Sequence, residues 1–438
     1  MGIAGIIAEY DPLHEGHLHL IRKVKEEMGE ATPVVVIMSG DFVQRGEPAL
    51  LNRASRVAAV LQCGADVVFE LPFTFATGSA DRFALGAVRS LSQSGAVTDL
   101  FFGCEHESLS DLEAIASIDF EEDPLFTSTL QDAQKEGQPY AAAWEMAACA
   151  VLSEKKSSLS PEILSSIVRR PNNTLAISYL REIRRCGSSI TPHLVKREGD
   201  YHGGELNLGT FPSATALRLF VLSAFSSYTH EEFIGKLSEL QGFVPVAQLA
   251  EMLSQWNNHT RPMGPLDLIR SVFPILKSRT ADDLSSTAYM GQGLASHLKN
   301  SIRSLHYQEG KPIDEIFMDQ VDTKCFSNTR IMRALTSLAI GQTEADLKNL
   351  DTPKYLRLLG FSEAGRTVLK TMRQDSSLPI LSRASDAFHH GKDPAFARMD
   401  ELDRLSHDWW TLQARSTWEE DFRFEVIQYK RKKIYRTL

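Results

Sequence analysis

Ala8-Glu9-Tyr10-Asp11-Pro12-Leu13-His14-Glu15-Gly16-His17 joins two stretches of different periodicity. Residues 3–8 before it are a short apolar run. Residues 17–27 after it put Leu18, Ile21 and Val24 on one helical stripe. The spacing predicts a strand, a loop and a helix, with two histidines flanking a glycine in the pattern HxGH. A helix start of this kind offers free backbone N–H groups and the positive end of the helix dipole. Gly16 allows a phosphate close to the backbone. His14 and His17 can donate to phosphate oxygens as charge builds at an α-phosphorus. The chemistry this predicts is nucleotide transfer, with no covalent nucleophile supplied by the protein.

Working outward, residues 33–38 (PVVVIM), 67–71 and 100–102 read as buried strands. Asn52 is placed to cap a helix running to about Cys63, and residues 80–92 are helical. Apolar strands alternating with helices predict a doubly wound α/β domain with a parallel sheet covered on both faces. Ligands of such sheets sit at the carboxyl ends of the strands. Residues 105–185 read mostly as helices, and a polar loop falls at 199–204. After about Ala224 the pattern is all helical, punctuated by Pro245, Pro262 and Pro274. The expectation is an α/β domain over 1–224 and a mainly α-helical domain over 225–438. With 438 residues, 43% of them hydrophobic, the chain has enough apolar content for more than one core. It carries no apolar run of the ~18–20 residues that a membrane span needs, and no basic leader. Its five cysteines are scattered. A reduced, cytoplasmic protein with no membrane partner is expected. The net charge of −9 argues against DNA as a partner but leaves room for local phosphate-binding patches.

Other motifs fall on the same carboxyl edge. Residues 38–49 (MSGDFVQRGEPA) begin where the second strand ends. Ser39, Gly40 and Arg45 are candidate substrate contacts there, Arg45 toward a phosphate or carboxylate. An Arg45–Glu47 ion pair is the structural alternative. Gly103 ends the fourth strand, where adenine or ribose could lie against the backbone. Asp41 and Asp81 are possible helpers for Mg2+, though nothing identifies the metal ligands. Ser213 begins another helix as a plausible N-cap, with Thr215 and Arg218 in its first turns; this is a second anion-binding start. Residues 169–197 hold Arg169, Arg170, Arg181, Arg184, Arg185, Lys196 and Arg197 against the single acid Glu182. The tail adds Lys430, Arg431, Lys432 and Lys433, interleaved with Tyr429 and Tyr435. Both stretches suit RNA, as does the weaker candidate Arg330, which shares a helical face with Arg333.

In this order the motifs AEYDPLHEGH, MSGDFVQRGEPA, ELPF with SADRFALG, FFGCE, PNNTLAISYL, KREGDYH, SATALR and KYLRLLGF make the chain resemble the bacterial tRNA(Met) cytidine acetate ligases, most strongly over residues 1–110. The resemblance implies ATP and acetate as substrates, acetyl-adenylate as the intermediate, and N4 of the wobble cytidine of elongator tRNA(Met) as the acceptor. It also implies an ATP loop over residues 7–20, with Ile7, Ala8, Glu9, Tyr10, Asp11 and Leu20 joining His14, Gly16 and His17. Further ATP contacts are implied at Gly103, at Asn172, and at Lys196 or Arg197; the forked guanidinium favours Arg197. Mg2+ is expected with ATP. The chain departs from the usual NPFHNGH loop at Asp11, Leu13 and Glu15, which places negative charge beside a triphosphate. Residues 323–330 carry fewer cations than the family's basic stretch there. The rival readings are a nucleotidyltransferase that adenylates a small phosphorylated metabolite, and a non-catalytic nucleotide- and tRNA-binding protein.

Overall fold

The computed structural model describes residues 2–138, 140–155, 159–197, 214–227, 229–306, 308–323, 326–415 and 426–429. Eight strands form one sheet: β1 (Ala4–Ala8), β2 (Val34–Ser39), β3 (Val67–Leu71), β4 (Asp99–Cys104), β5 (Thr191–Lys196), β6 (Leu356–Ser362), β7 (Ile380–Leu381) and β8 (Ile427–Tyr429). Their order is β5-β4-β1-β2-β3-β6-β7, with β8 also on β6. β1 to β5 are mutually parallel, and β6 runs antiparallel to β3. All six residues of β2 are buried, as the unbroken apolar run requires of a central strand covered on both faces.

The chain winds one way from β1 through β2 to β3 and then crosses back to β4 on the other side of β1. The strand order therefore reverses between β1 and β4. The crevice outside their carboxyl ends is where a doubly wound sheet takes ligands. The HxGH loop leaves the end of β1, and Gly103 lies near the end of β4.

Two expectations change. β5 was not foreseen, because it is an edge strand with a polar pattern and only Val195 buried. Residues 225–438 are not all helical: β6, β7 and β8 return to the sheet and extend it beyond β3. The helices Pro265–Ser278, Leu294–Arg303, Ile313–Val321 and Asn328–Ile340 do build their own core around Leu268, Val272, Leu298, Phe317 and Leu335. That core rests on the loop after β2. Gly46 has φ +77°, and a Cβ there would come within 2.4 Å of the Arg333 backbone nitrogen. Arg333 Nε donates to the Gln44 carbonyl at 2.9 Å. No described helix is long and apolar enough to cross a membrane.

Candidate active site

The helix Glu15–Met28 starts with an unusual cap made by the two histidines. The Gly16 N–H donates to His14 Nδ1 at 3.1 Å, and the His14 N–H donates to His17 Nδ1 at 3.2 Å. A backbone N–H can only donate, so both Nδ1 atoms carry lone pairs and a neutral ring carries its proton on Nε2. Burial, followed by the Arg197 charge, pushes the His14 pKa down to about 3. Burial, then His14 and Arg197, hold His17 well below the ordinary range. The pair therefore presents two neutral Nε2–H donors, with ring centres 3.8 Å apart. Tyr10 sets its ring edge-on against His17 at 5.0 Å. Gly16 is required by packing, since a Cβ there would sit 2.9 Å from His14 Cε1.

The free helix-start N–H groups expected from the sequence are already engaged. Glu15 N–H donates to the Phe243 carbonyl and His17 N–H to the His14 carbonyl, both at 2.9 Å. In this arrangement the imidazoles, rather than bare amides, are the donors that the helix start can offer a ligand.

Arg197 joins this pair from the end of β5. A Cβ on Gly103 would lie 3.3 Å from Arg197 Cγ, so the backbone strip expected to take adenine or ribose carries the Arg197 side chain. Arg197 Nη1 donates to Asn172 Oδ1 at 3.3 Å, and Asn172 Nδ2 to Glu105 Oε1 at 2.5 Å. The arginine is exposed. Lys196 is instead held by Glu107. Sequence reasoning missed the neighbouring Asn173. It is buried, and its Oδ1 accepts from the N–H groups of Glu105 and His106 at 3.0 and 3.1 Å. It ties the helix Pro171–Arg185 to the end of β4, and the double asparagine in PNN was its only signal.

A family comparison and several relatives match this arrangement. The family described as HIGH Nucleotidyl Transferase matches residues 1–422. A tRNA(Met) cytidine acetate ligase of Acetivibrio thermocellus is 32% identical over 94% of this chain and 95% of its own. One from Syntrophomonas wolfei is 33% identical over 94% and 95%. The crystal structure of Thermotoga maritima TmcAL bound with alpha-thio ATP superposes with TM-score 0.86 over 98% of this chain and 100% of that one, at 25% identity. The chain belongs to the tRNA(Met) cytidine acetate ligase family of HIGH nucleotidyltransferases.

Of the residues at which the chain departs from this ligase family's usual loop, Leu13 and Asp11 turn inward and Glu15 stays partly exposed. Leu13 is fully buried. Asp11 is buried, accepts from the Leu50 N–H at 2.6 Å and lies 3.3 Å from Arg218 Nη1. Glu15 pairs with Arg22 at 3.3 Å. The charge of Asp11 is thus compensated by Arg218, whose Nη2 is 2.8 Å from Glu47. Arg218 is consequently not the free phosphate contact expected, and the expected Arg45–Glu47 alternative is replaced by Arg218–Glu47. Thr215 is exposed, 3.5 Å from Arg45. Ser213 lies outside the described residues. Of the remaining loop positions, Ile7 and Ala8 belong to β1, Leu20 packs on the core, and Glu9 accepts the Gln44 N–H at 2.6 Å.

The loop after β2 is mostly sealed. Ser39 and Gly40 are buried, and a Cβ on Gly40 would fall 2.2 Å from Glu70 Oε1. Arg56, another residue that sequence reasoning missed, donates to the Glu9 and Ser39 carbonyls at 2.8 and 3.0 Å and also to that of Gly40. It clamps the ends of β1 and β2 together. Of the three expected substrate contacts only Arg45 is exposed, although the Ser39 hydroxyl has no hydrogen-bond partner among the described residues. Asp41 is bound through Oδ2 to His407 at 2.9 Å, and Asp81 through Oδ1 to Ser178 and Arg181 at 2.8 and 3.1 Å. Among the described residues no group of three or more acids, histidines or cysteines could hold a metal ion.

The expected cationic surface at 169–197 is largely compensated by acids from elsewhere in the chain. Arg169 pairs with Glu145, Arg181 with Asp81, Arg184 and Arg185 with Asp119, and Lys196 with Glu107. Arg170 and Arg197 form no ion pair among the described residues. Arg330 donates to Gln292 Oε1 at 3.0 Å and the Gly291 carbonyl at 2.8 Å. Lys430, Arg431, Lys432 and Lys433 lie outside the described residues.

Proposed function

We propose that the chain activates acetate with ATP and transfers the acetyl group to N4 of the wobble cytidine of elongator tRNA(Met). The observation that carries the ATP half is the paired imidazoles, neutral and pre-oriented, with the unpaired Arg197 guanidinium beside them at the switch point of the sheet. In the first step an acetate oxygen bonds to the α-phosphorus and the bond to pyrophosphate breaks. His14 and His17 stabilise the charge on the α-phosphate through Nε2–H, and Arg197 holds the phosphates. Asn172 orients Arg197. Arg45, the exposed member of the three expected substrate contacts, is the candidate acetate contact. Mg2+ is expected to arrive on the triphosphate, because the described residues offer it no cluster of ligands.

In the second step N4 attacks the acetyl carbon, AMP leaves, and N4 loses a proton. A cleft of about 560 Å³ supports this step. Its walls include Gln44, Arg45 and Glu47 on one side and Asn328, Thr329 and Arg333 on the other. Glu47 and Gln44 bond directly to residues that touch the HxGH loop, so the cleft opens beside the phosphate site. The volume suits a nucleotide turned out of its stack. The names of the relatives support the acceptor and the acyl group. Incubation with ATP, labelled acetate and total tRNA tests the reading. Label in RNA at a cytidine is expected. Pyrophosphate exchange without labelled RNA would point to another acceptor, and no ATP turnover would overturn the enzyme.

A further inference from the structure

Most cations of 169–197 are met by acids; among the described residues, four at the far edge of the sheet are not. The helix Gly365–Asp375 buries Val368, Leu369 and Met372 against β6. Gly365 is seated so closely on the chain before β3 that a Cβ would lie 1.9 Å from the Asp66 carbonyl oxygen. That seating fixes the opposite face of the helix. Arg366, Lys370 and Arg373 follow each other there at four and three residues, which is one stripe. Together with Arg383 they line a groove of about 520 Å³ floored by Leu358 and Phe361 of β6 and by Val426 just before β8. All four cations are exposed. Among the described residues no acid lines the groove. None of the four forms an ion pair among the described residues. Their partners are neutral: Arg366 Nη2 donates to Gln428 Oε1 at 3.3 Å and Arg373 Nη2 to Ser382 Oγ at 3.2 Å. The Arg366 guanidinium lies 5.8 Å from the centre of the Phe361 ring. The nearby acid Asp386 is turned to the backbone N–H groups of Ser382 and Arg383, at 2.8 and 2.9 Å.

Four cations with no ion pair among the described residues, in a chain of net charge −9, fit a ligand that carries several phosphates in a row. The aromatic ring on the floor suits a base or ribose more than a lone inorganic anion. β6 stands three strands from β1, about 14 Å across at ordinary strand spacing. Phe361 pairs with Val67 at the amino end of β3, so the groove also lies toward the opposite end of the sheet from the HxGH loop. A tRNA with one nucleotide in the crevice would meet the groove through phosphates farther along the same molecule. We propose that this groove is a contact for the phosphate backbone of the tRNA, outside the reaction centre; the proposal rests on the tRNA reading above.

The test is a triple variant, Arg366→Glu with Lys370→Glu and Arg373→Glu, beside the milder triple alanine variant. Binding of tRNA is measured by anisotropy between roughly 50 and 200 mM salt, and acetate-dependent ATP–pyrophosphate exchange is measured without RNA. Affinity should fall roughly tenfold or more, and the salt dependence should become shallower by about two to three in log–log slope. Exchange and melting temperature should stay at the parent values. Unchanged affinity and slope in both variants would overturn the groove while leaving the proposed reaction standing. An unmutated protein that runs exchange but does not bind tRNA would overturn both. Unchanged tRNA binding with lost retention on anionic lipid vesicles would reassign the groove to a membrane surface.

Discussion

Two clusters of ionisable side chains sit at the carboxyl edge of the same sheet and do opposite things. At the ends of β1 and β5, His14, His17 and the exposed Arg197 form no ion pair among the described residues. At the end of β3 the charges close on one another. Arg53 Nη1 bonds Glu70 at 2.9 Å and approaches Asp41 at 3.8 Å. Asp41 is held by His407 at 2.9 Å, and Arg357 bonds Asp400 at 2.6 Å. The Tyr355 hydroxyl and the Phe73 N–H both donate to Asp403, at 2.5 and 2.7 Å. That network locks the helix 394–415 to the sheet. Both clusters stand on motifs that look functional in sequence, and what separates them is whether the charged groups meet an opposite charge within the fold. Strong charge in a buried place is a structural device when it is paired with its opposite, and a candidate site when it is not.

Arg53→Ala should break the sealed side most severely. It removes the nearest cation from the buried Glu70 and leaves Arg357 Nε at 3.5 Å, and a loss of about 3–5 kcal/mol is expected in urea unfolding. Whatever remains folded should retain exchange per folded molecule. A mild stability change with lost exchange would put Arg53 in the open cluster instead. His14→Ala should do the reverse. Acetate-dependent exchange should drop roughly 100-fold or more, while stability falls by about 1 kcal/mol for the lost cap. Full exchange in this variant would remove the histidine from the chemistry.

Arg197→Ala should raise the KM for ATP roughly tenfold or more, as loss of a charge-assisted contact does, with the melting temperature unchanged. Lys196→Ala, one residue away and held by Glu107, should alter it less than about twofold. Equal effects would dissolve the distinction between paired and unpaired cations.

The smallest effects concern pH, and the two clusters should respond with opposite sign. With the His14 pKa near 3 in the fold against 6.5 ordinarily, the unfolded chain takes up a proton that the folded chain refuses. Stability from this group is present above pH 6.5 and is lost as pH falls toward 3. Burial, then Glu70, lift Asp403 from 3.8 to about 7. The folded chain keeps that proton, so stability is full below pH 3.8 and declines as pH rises through 7. His14→Ala should flatten the acid limb of the melting-temperature profile, and Asp403→Asn the neutral-to-alkaline limb. A single limb altered by both variants would contradict the separation.

Much of the open cluster was legible because it is local. Four strands, the first helix and the Asn52 cap follow from periodicity within windows of a dozen residues, and HxGH is contiguous. Even the preference for Arg197 over Lys196 rested on the chemistry of one side chain. The sealed cluster was not legible. Arg53, Glu70, Arg357, Asp403 and His407 are separated by up to hundreds of residues, and no local pattern joins β6 to β3. For the same reason the 169–197 segment looked strongly cationic: its acids come from positions 81, 107, 119 and 145.

The account depends on the triphosphate lying over the two imidazoles. A crystal structure of this chain with bound ATP tests that most directly. It should show an α-phosphate oxygen within about 3.2 Å of Nε2 of His14 or His17, with the Arg197 guanidinium on the same phosphate chain. A nucleotide bound away from the ends of β1 and β4, with both Nε2 atoms still facing water, would contradict it.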